Sequence, residues 1–138
     1  VGTVTAEADR LIRTAHAALD AAIEQMRPGR RIGDVGHAVE RVVAKAGYGS
    51  PRDFCGHGIG TAMHEDPDVE NRGKPGRGLE LAVGVVLAIE PMLIGGGNND
   101  VLSLDDGWTV VTADGSLAAH AEHTVLVGEH GPEILTRA

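Results

Sequence analysis

Residues 54–67 read FCGHGIGTAMHEDP, the stretch of the chain that carries the most chemical information. His57 stands between two glycines, and His64 follows seven positions later. Glycine neighbours let backbone or a ligand approach an imidazole closely, and neutral imidazole is a common ligand of divalent metals. A lone histidine is more often structural or on the surface. Two histidines here, together with two glutamates further along the chain, favour a site, and His57 is the better ligand candidate.

Other motif interpretations of this stretch fail on spacing. Its glycines are two and two residues apart, which is not the G-x-G-x-x-G fingerprint of dinucleotide binding. His64-Glu65 lacks the second histidine of the helical zinc-protease motif, because Asp68 stands there. The chain has no G-x-S-x-G nucleophile elbow. Cys55 beside His57 is a weak candidate nucleophile, because adjacency in sequence is not the spatial pairing that activates a thiol.

Glu90 is the first of the two glutamates. Val83–Glu90 is an apolar run that predicts a mostly buried strand, and Glu90 is its last residue. A carboxylate at such a position needs a cation or must be protonated at substantial cost, and a metal would supply the cation. The alternative is a strand-end glutamate that faces solvent or pairs with an arginine.

Glu122 raises the same question on a later strand. Along Ala119 to Val127, a period of two places His120, Glu122 and Thr124 on one face and His123 on the other. Glu122 and His123 therefore cannot both face one site directly. We expect one of them to serve as packing or hydrogen-bonded support.

Hydrophobic spacing predicts two amphipathic helices at the start of the chain. Apolar residues recur every three or four positions from Glu7 to Met26, and Pro28-Gly29 ends this pattern. A second helical pattern runs from Ile32 to Ala46, with Gly47 as the expected C-terminal cap.

The chain beyond residue 50 is rich in glycine and in short β-branched runs. Residues 108–112 and 118–127 predict two strands of an antiparallel hairpin, joined by a turn at 113–116. Residues 133–136 predict a short last strand.

The order of these elements indicates the fold class. Helices followed by strands, without regular alternation, are typical of α+β proteins. We expect one domain over residues 1–138, with a helix pair at about 5–47 and a sheet carrying the candidate ligands at about 51–138.

Composition argues against several partners and locations. The formal net charge of -8 and the pI near 5.2 predict no binding to nucleic acid or to anionic membranes. No apolar run approaches the roughly 18 residues of a membrane span. Cys55 is the single cysteine, so no internal disulfide forms and the chain suits the cytosol. The first residue is Val1 rather than Met, from which we expect the chain to start inside a longer natural product.

Four blocks of sequence carry a family resemblance. They are Cys55–Gly60 with Met63–Glu65, Ala88–Met92, Asp106–Val110 and Glu122–Thr124. In this order they resemble the pita-bread metallopeptidases, and among these the type I methionine aminopeptidases. Prolidases share the fold but usually have Glu-Asp where this chain has Glu122-His123, and type II enzymes carry a long insertion that is absent here. The resemblance implies the C-terminal half of a pita-bread fold, two helices followed by a mostly antiparallel sheet.

The resemblance also implies roles for individual residues. His57, Glu90 and Glu122 match three ligands of a paired site for divalent cobalt, manganese, iron or zinc, with Glu122 bridging the two ions. In that family, water activated at the metals attacks the carbonyl after the first methionine, and Glu90 resembles the residue that handles its proton. His64 resembles the residue that holds the scissile carbonyl and its developing negative charge.

Some positions depart from the family pattern. Met63 and Trp108 resemble the walls of the methionine pocket, although the first of these positions is more often aromatic in the family. The family's two aspartate ligands lie on strands before the segment that corresponds to Val1, and the aspartates after Glu90 do not match them. Ala121 stands where the family usually has an aromatic residue, which loosens the packing behind Glu122.

The implied activity is metal-dependent removal of the N-terminal methionine from nascent polypeptides in the cytoplasm. Three protein ligands cannot hold two ions in the family's geometry, so we expect the isolated chain to bind metal weakly and hydrolyse little. The missing N-terminal half is then a possible partner, and half of the sheet alone is expected to aggregate or dimerise. Two alternatives are a noncatalytic relative that binds peptides or a partner protein, and a prolidase-like peptidase, against which Glu122-His123 argues.

Overall fold

The computed structural model describes residues 2–137, so Val1 and Ala138 lie outside the described residues. The chain begins with two helices, α1 (Ala6–Ile23) and α2 (Ile32–Ala46), where hydrophobic spacing predicts them. Within the described range, neither helix combines the length and the hydropathy required to cross a membrane.

Local capping sets the helix ends. The hydroxyl oxygen of Thr5 accepts a hydrogen bond from the backbone N–H of Ala8 at 3.2 Å, which satisfies one free donor at the start of α1. Gly47 ends α2 with φ of 76°, a left-handed conformation that glycine adopts without strain. The predicted C-terminal cap is confirmed.

Asp34 ties the start of α2 to a distant loop. One carboxylate oxygen accepts a hydrogen bond from the backbone N–H of Arg31 at 2.8 Å, and the other accepts one from the N–H of Gly76 at 2.8 Å. These two backbone donors favour the ionised carboxylate, so they lower the pKa of Asp34 below its ordinary value. The loop that follows the histidine region is thereby fastened to the helix pair.

Nine short strands follow the helices within the described residues. They are β1 (Gly56–Gly58), β2 (Glu65–Val69), β3 (Val86–Ile89), β4 (Met92–Ile94), β5 (Val101–Ser103), β6 (Val110–Thr112), β7 (Ala118–His120), β8 (His123–Gly128) and β9 (Gly131–Ile134). A five-stranded sheet has the order β2-β1-β3-β8-β9, while β4 pairs with β7 and β5 with β6. Every pairing is antiparallel, which confirms the predicted α+β class with a mostly antiparallel sheet.

The core lies between the helix pair and the sheets. Helix α1 packs against α2 and contacts β3, β4 and β7. The largest fully buried apolar side chains come from both layers: Leu11, Leu19, Met26, Val35, Val39, Leu81, Leu87, Ile89, Leu93, Ile94, Val125 and Val127. Burial of these side chains holds β3 and β8 in the middle of the larger sheet, with the candidate ligands at the ends of the core strands.

The predicted hairpin of residues 108–112 with 118–127 is wrong. The first segment contributes β6, which pairs with β5, and the second divides into β7 and β8. Strand β7 pairs instead with β4, whose Leu93 and Ile94 are buried, and it lies against α1. Ala119 of β7 is half-buried and packs against the core, so tertiary contacts rather than the local turn signal agree with the observed partner of β7.

Two predicted strand ends also differ. The strand predicted from Val83 begins at Val86, because Gly84 has φ of 94° and the preceding residues form a turn. The last strand, predicted at residues 133–136, is β9, because a tight turn pairs Gly128 directly with Gly131 and starts the strand earlier.

Candidate metal centre

The candidate site lies where two strands break opposite each other. Strand β3 ends before Glu90 and β4 begins just after Pro91, while β7 ends and β8 begins on either side of Ala121-Glu122. The flanking registers pair Ile89 with His123 and Met92 with His120. The two breaks therefore face each other. At this point the chain passes from the larger sheet into the β4–β7 pair. The side chains at the two breaks, including Glu90 and Glu122, can therefore converge.

Glu90 is the least exposed acidic side chain of the site. Its side chain is 11% exposed and follows three buried residues of β3. Among the described residues, two histidines lie within ion-pair distance of the Glu90 carboxylate, and no lysine or arginine does. A carboxylate this buried requires positive charge or hydrogen-bond donors nearby, and imidazoles supply the contacts here.

His57 approaches Glu90 from the neighbouring strand. On β1 it pairs with Ala88 of β3, and its Nε2 lies 3.2 Å from Oε1 of Glu90. Its Nδ1 lies 2.9 Å from the carbonyl oxygen of Gly58, which can only accept, so Nδ1 carries a proton. In the neutral ring, Nε2 then presents a lone pair toward a carboxylate oxygen. A cation between these two atoms would relieve their repulsion, which is the arrangement of a metal-ligating histidine.

His120 approaches the other oxygen of the same carboxylate. Its Nε2 lies 3.3 Å from Oε2 of Glu90 and 4.0 Å from Oε2 of Glu122. The hydrogen bond with Glu90 raises the pKa of His120, and partial burial opposes this effect. Glu90 thus lies between two imidazoles, with one carboxylate oxygen turned to each.

His120 was not among the site residues predicted from sequence, although its position carried a signal. The period of two placed His120 on the same face as Glu122, and their side chains lie 4.0 Å apart. The contact with Glu90 was not accessible from sequence, because it depends on the pairing of β7 with β4.

His123 lies outside this cluster. Its Nδ1 is 2.9 Å from the hydroxyl oxygen of Thr136, so its ring is engaged with the segment that follows β9. The expectation that Glu122 and His123 cannot both face one site agrees with this geometry. His123 takes the supporting position.

Asn71 supports the backbone of Glu90. The residue is buried, and its side-chain amide donates a hydrogen bond to the backbone carbonyl of Glu90 at 3.3 Å. This bond fixes the backbone at the strand break, where the regular ladder does not reach. No pattern in the sequence pointed to Asn71.

His64 lies beside His57. The two ring centroids are 4.2 Å apart with the planes at 44°, and His64 is exposed. The glycines on either side of His57 let the neighbouring backbone segments pack closely against β1. A Cβ at Gly56 would overlap the carbonyl oxygen of Ala88, and a Cβ at Gly58 would overlap the carbonyl oxygen of Asp66. Close approach of three strand segments is therefore possible only with glycine at these positions.

Met63 and Trp108 are the predicted pocket residues, and both are strongly exposed. Their exposed fractions are 73% and 89%. An apolar pocket of about 230 Å³ adjoins the site at His120, between residues of β4, β5, β6 and β7, and neither Met63 nor Trp108 lines it. The pocket also includes Phe54 and Met92.

Cys55 is not prepared for nucleophilic chemistry. Burial raises the pKa of its thiol, and the carboxylates of Asp68, Glu70 and Glu90 raise it further. The thiolate is therefore disfavoured, which agrees with the expectation that Cys55 is a weak candidate nucleophile.

The donor set fits a divalent ion. Glu90, His120 and Glu122 each offer one ligand atom, and these atoms lie within 4.8 Å of one another. His57 adds an imidazole nitrogen on the opposite side of Glu90. Imidazole nitrogen together with carboxylate oxygen is the ligand chemistry of zinc, cobalt, manganese and iron in proteins.

Comparison with known proteins identifies the family. Residues 1–129 match the sequence profile of metallopeptidase family M24. The chain belongs to this family. The methionine aminopeptidase of Clostridium perfringens is 49% identical over 136 residues, which are 99% of this chain and 54% of that protein. This M24 chain therefore spans about half the length of the curated relatives that it matches.

Solved structures place the M24 chain in the pita-bread fold. The crystal structures of methionine aminopeptidases from Rickettsia prowazekii and Thermotoga maritima both match with a TM-score of 0.95, at 43% and 45% identity. They cover 99% and 100% of this chain, and in each case 55% of the other chain is matched. The predicted correspondence to the C-terminal portion of a methionine aminopeptidase fold is confirmed, and the family is one of metal-dependent peptidases.

Proposed function

We propose that this chain supplies the C-terminal half of the active site of a methionyl aminopeptidase. The observation that carries the proposal is Glu90, a nearly buried carboxylate whose two oxygens face the imidazoles of His57 and His120 at 3.2 and 3.3 Å. This arrangement needs a cation. A divalent metal ion is the cation expected in a chain of metallopeptidase family M24 that has methionine aminopeptidases among its relatives.

His57, Glu90 and Glu122 are the proposed metal ligands, as the resemblance implies. His57 is held by the hydrogen bond from its Nδ1 to the carbonyl of Gly58, and Glu90 by the bond from Asn71 to its backbone. Glu122 is about half exposed, so its carboxylate would be accessible to a divalent ion at the open side of the site.

When bound, divalent ions would polarise the scissile carbonyl and activate water near neutral pH. Glu90 is the proposed acceptor of the water proton, since it is ionisable and directed into the site. His64, exposed beside His57, is proposed to donate a hydrogen bond to the carbonyl oxygen as negative charge develops on it.

The proposed substrate is the N-terminal methionine of a nascent polypeptide. Met63 and Trp108 are proposed to form one wall of the methionine pocket. Both are exposed large apolar side chains, Met63 directly before His64 and Trp108 in the loop before β6, and such side chains commonly mark a binding surface or an interface. A complementary half of the fold is the proposed partner that completes this pocket and supplies two aspartate ligands.

We further propose that residues 1–138 act as one catalytic-domain fragment in the cytoplasm. The physiological metal is proposed to be cobalt, manganese, iron or zinc, which suit a mixed imidazole and carboxylate site. An acidic chain with a single cysteine agrees with a reducing compartment and gives no basic surface for nucleic acid.

The proposal is tested with a chimera. This chain replaces the matched 54% of the Clostridium perfringens relative, so that the remaining half of that protein completes the site. Hydrolysis of a Met-Ala-Ser peptide is measured with added cobalt or manganese, for the chimera and for the isolated chain, and bound metal is counted in the same samples.

We expect turnover by the chimera, little turnover by the isolated chain, and loss of the chimera's activity in Glu90→Gln. A folded chimera that binds metal without cleaving the peptide would favour the noncatalytic alternative. Cleavage of an X-Pro dipeptide in preference to Met-Ala-Ser would favour the prolidase-like one. Robust turnover by the isolated chain with two tightly bound ions would contradict the incomplete half-site.

A further inference from the structure

We propose that His120 is a direct ligand of one divalent transition-metal ion, held together with Glu90 and Glu122. The inference rests on the proposed function in taking the two glutamates as ligands. It adds a ligand that the family resemblance does not supply, and it assigns a single-ion site to the residues of this chain alone. His57 remains the ligand on the other side of Glu90.

Distances between donor atoms agree with a common ion. Two ligand atoms that each lie about 2.1 Å from a metal are about 3.4 Å apart at the tetrahedral angle. The Nε2 of His120 is 3.3 Å from Oε2 of Glu90 and 4.0 Å from Oε2 of Glu122. Glu122 is exposed enough to rotate, so a small side-chain movement closes the longer distance.

Charge favours an ion over a simple histidine–glutamate ion pair. Two carboxylates converge on one imidazole, and over residues 2–137 neither of them has a lysine or arginine within ion-pair distance. A proton on His120 would neutralise one of the two negative charges. A divalent ion would neutralise both, and it would use the imidazole as a ligand in its neutral form.

The backbone fixes the position of His120 before any ion arrives. His120 is the last residue of β7 and pairs with Met92 of β4, two residues after Glu90. The next residue, Ala121, is buried, and its N–H donates to the carbonyl of Pro91 at 3.3 Å. The chain on both sides of the site is therefore held in register, and binding orders few additional groups.

The donor set predicts which ions bind. One imidazole and two carboxylates form a three-ligand site, and the side chains of His120 and Glu122 are 47% exposed, so further positions stay open to solvent. Nitrogen in the set favours cobalt and zinc over calcium and magnesium, which prefer oxygen alone.

The test uses cobalt as the probe and the 138-residue chain as the protein. Cobalt(II) is titrated into the unsubstituted chain and into His120→Gln, Glu90→Gln and His130→Gln, with visible absorption and calorimetry as readouts. His130 lies on the surface in the turn between β8 and β9, so its replacement removes one imidazole without touching the site. Circular dichroism and thermal unfolding establish that each variant is folded.

We expect His120→Gln to weaken binding of the first ion about tenfold or more and to reduce its visible absorption bands, since loss of a direct ligand costs at least as much as loss of a supporting one. His130→Gln should bind like the unsubstituted chain. An unchanged first-ion affinity and spectrum in His120→Gln overturns the inference. If Glu90→Gln alone abolishes binding, the inference fails while the proposed function stands. If neither His120→Gln nor Glu90→Gln changes cobalt binding, both the inference and the proposed function fail.

Discussion

The side-chain amide of Asn71 donates a hydrogen bond to the backbone carbonyl of Glu90 at 3.3 Å, from a loop outside the strands that flank the site. Asn71 is buried, so the bond is shielded from water. It holds the proposed metal ligand at the one point where the strand that carries it has already ended.

Replacement of Asn71 by alanine is expected to affect both stability and metal binding. The free energy of unfolding should fall by about 1 kcal/mol, because the partly buried hydrogen bond to the Glu90 carbonyl is lost. Cobalt affinity should fall as well, because the Glu90 backbone gains freedom. Urea unfolding and cobalt titration measure the two effects.

The matched control is Asn99→Ala. Asn99 also bonds to backbone, accepting from the N–H of Ser50 at 2.9 Å, and this bond involves none of the proposed ligands. The Asn99→Ala variant should be less stable than the unsubstituted chain but bind cobalt with the same affinity. Equal cobalt affinity in the Asn71 and Asn99 variants would show that Asn71 serves folding only.

Gly56→Ala is expected to displace His57. The added methyl group would overlap the carbonyl oxygen of Ala88, so the two strands must separate. Overpacking of this kind costs about 1–3 kcal/mol, and we expect the upper end because the obstacle is backbone. Chemical unfolding gives the stability, and the cobalt titration shows whether His57 still reaches Glu90.

Gly107→Ala is the control variant that distinguishes the steric clash in Gly56→Ala from ordinary backbone strain. Gly107 has φ of 70° and open space where a Cβ would stand, so its replacement strains the backbone without a collision. It should cost about 1 kcal/mol and leave cobalt binding unchanged. Normal stability in Gly56→Ala would mean that the close packing of β1 on β3 is not required.

Asp34 is expected to make stability sensitive to acid. Its pKa is lowered in the folded chain, so the carboxylate contributes stability that is present above its ordinary value and is lost as the pH falls through the lower, folded value. Asp34→Asn should therefore be less stable than the unsubstituted chain at pH 7, by less than about 1 kcal/mol because solvent screens a carboxylate this accessible, and the difference should shrink below about pH 4.

The measurement is the free energy of unfolding from pH 2.5 to 7. Asp20→Asn is the comparison, because Asp20 is an exposed aspartate of α1 whose side chain has no hydrogen bond among the described residues. A stability difference for Asp34→Asn that does not change with pH would contradict the role of the ionised carboxylate.

Self-association of the isolated chain remains a prediction. Strand β2 lies at an open edge of the larger sheet, and Trp108 and Met63 are strongly exposed. Unpaired edges and exposed apolar side chains promote association. Sedimentation velocity should show dimers or larger species that increase with concentration, and Trp108→Ser should reduce them. A monomer that melts cooperatively at every concentration would oppose this expectation.

Local rules predicted the helices and part of the site. Spacing, the proline-glycine stop and the glycine cap placed both helices, because helix ends depend on residues close in sequence. Glu90 was expected to leave an apolar strand and it does, with little exposure. The opposite faces of Glu122 and His123 followed from the period of two alone.

Long-range pairing explains what the sequence could not predict. The turn between β6 and β7 resembled a hairpin, but β7 pairs with β4, where the half-buried Ala119 packs against the core and the strand contacts α1. That pairing is also what brings His120 to Glu90, so the error about the hairpin and the omission of His120 have one cause. Asn71 was missed for the same reason, since its partner is 19 residues away.

The facing breaks at Glu90-Pro91 and Ala121-Glu122 have a thermodynamic consequence. Each break joins one strand of the five-stranded sheet to one strand of the β4–β7 pair. A ligand that binds the carboxylates of both Glu90 and Glu122 therefore cross-links two sheets that are hydrogen-bonded separately. The free energy of binding there is added to the free energy that keeps the sheets aligned. Occupancy of the site and the mutual orientation of the two sheets are thus linked quantities, and a chelator acts on both.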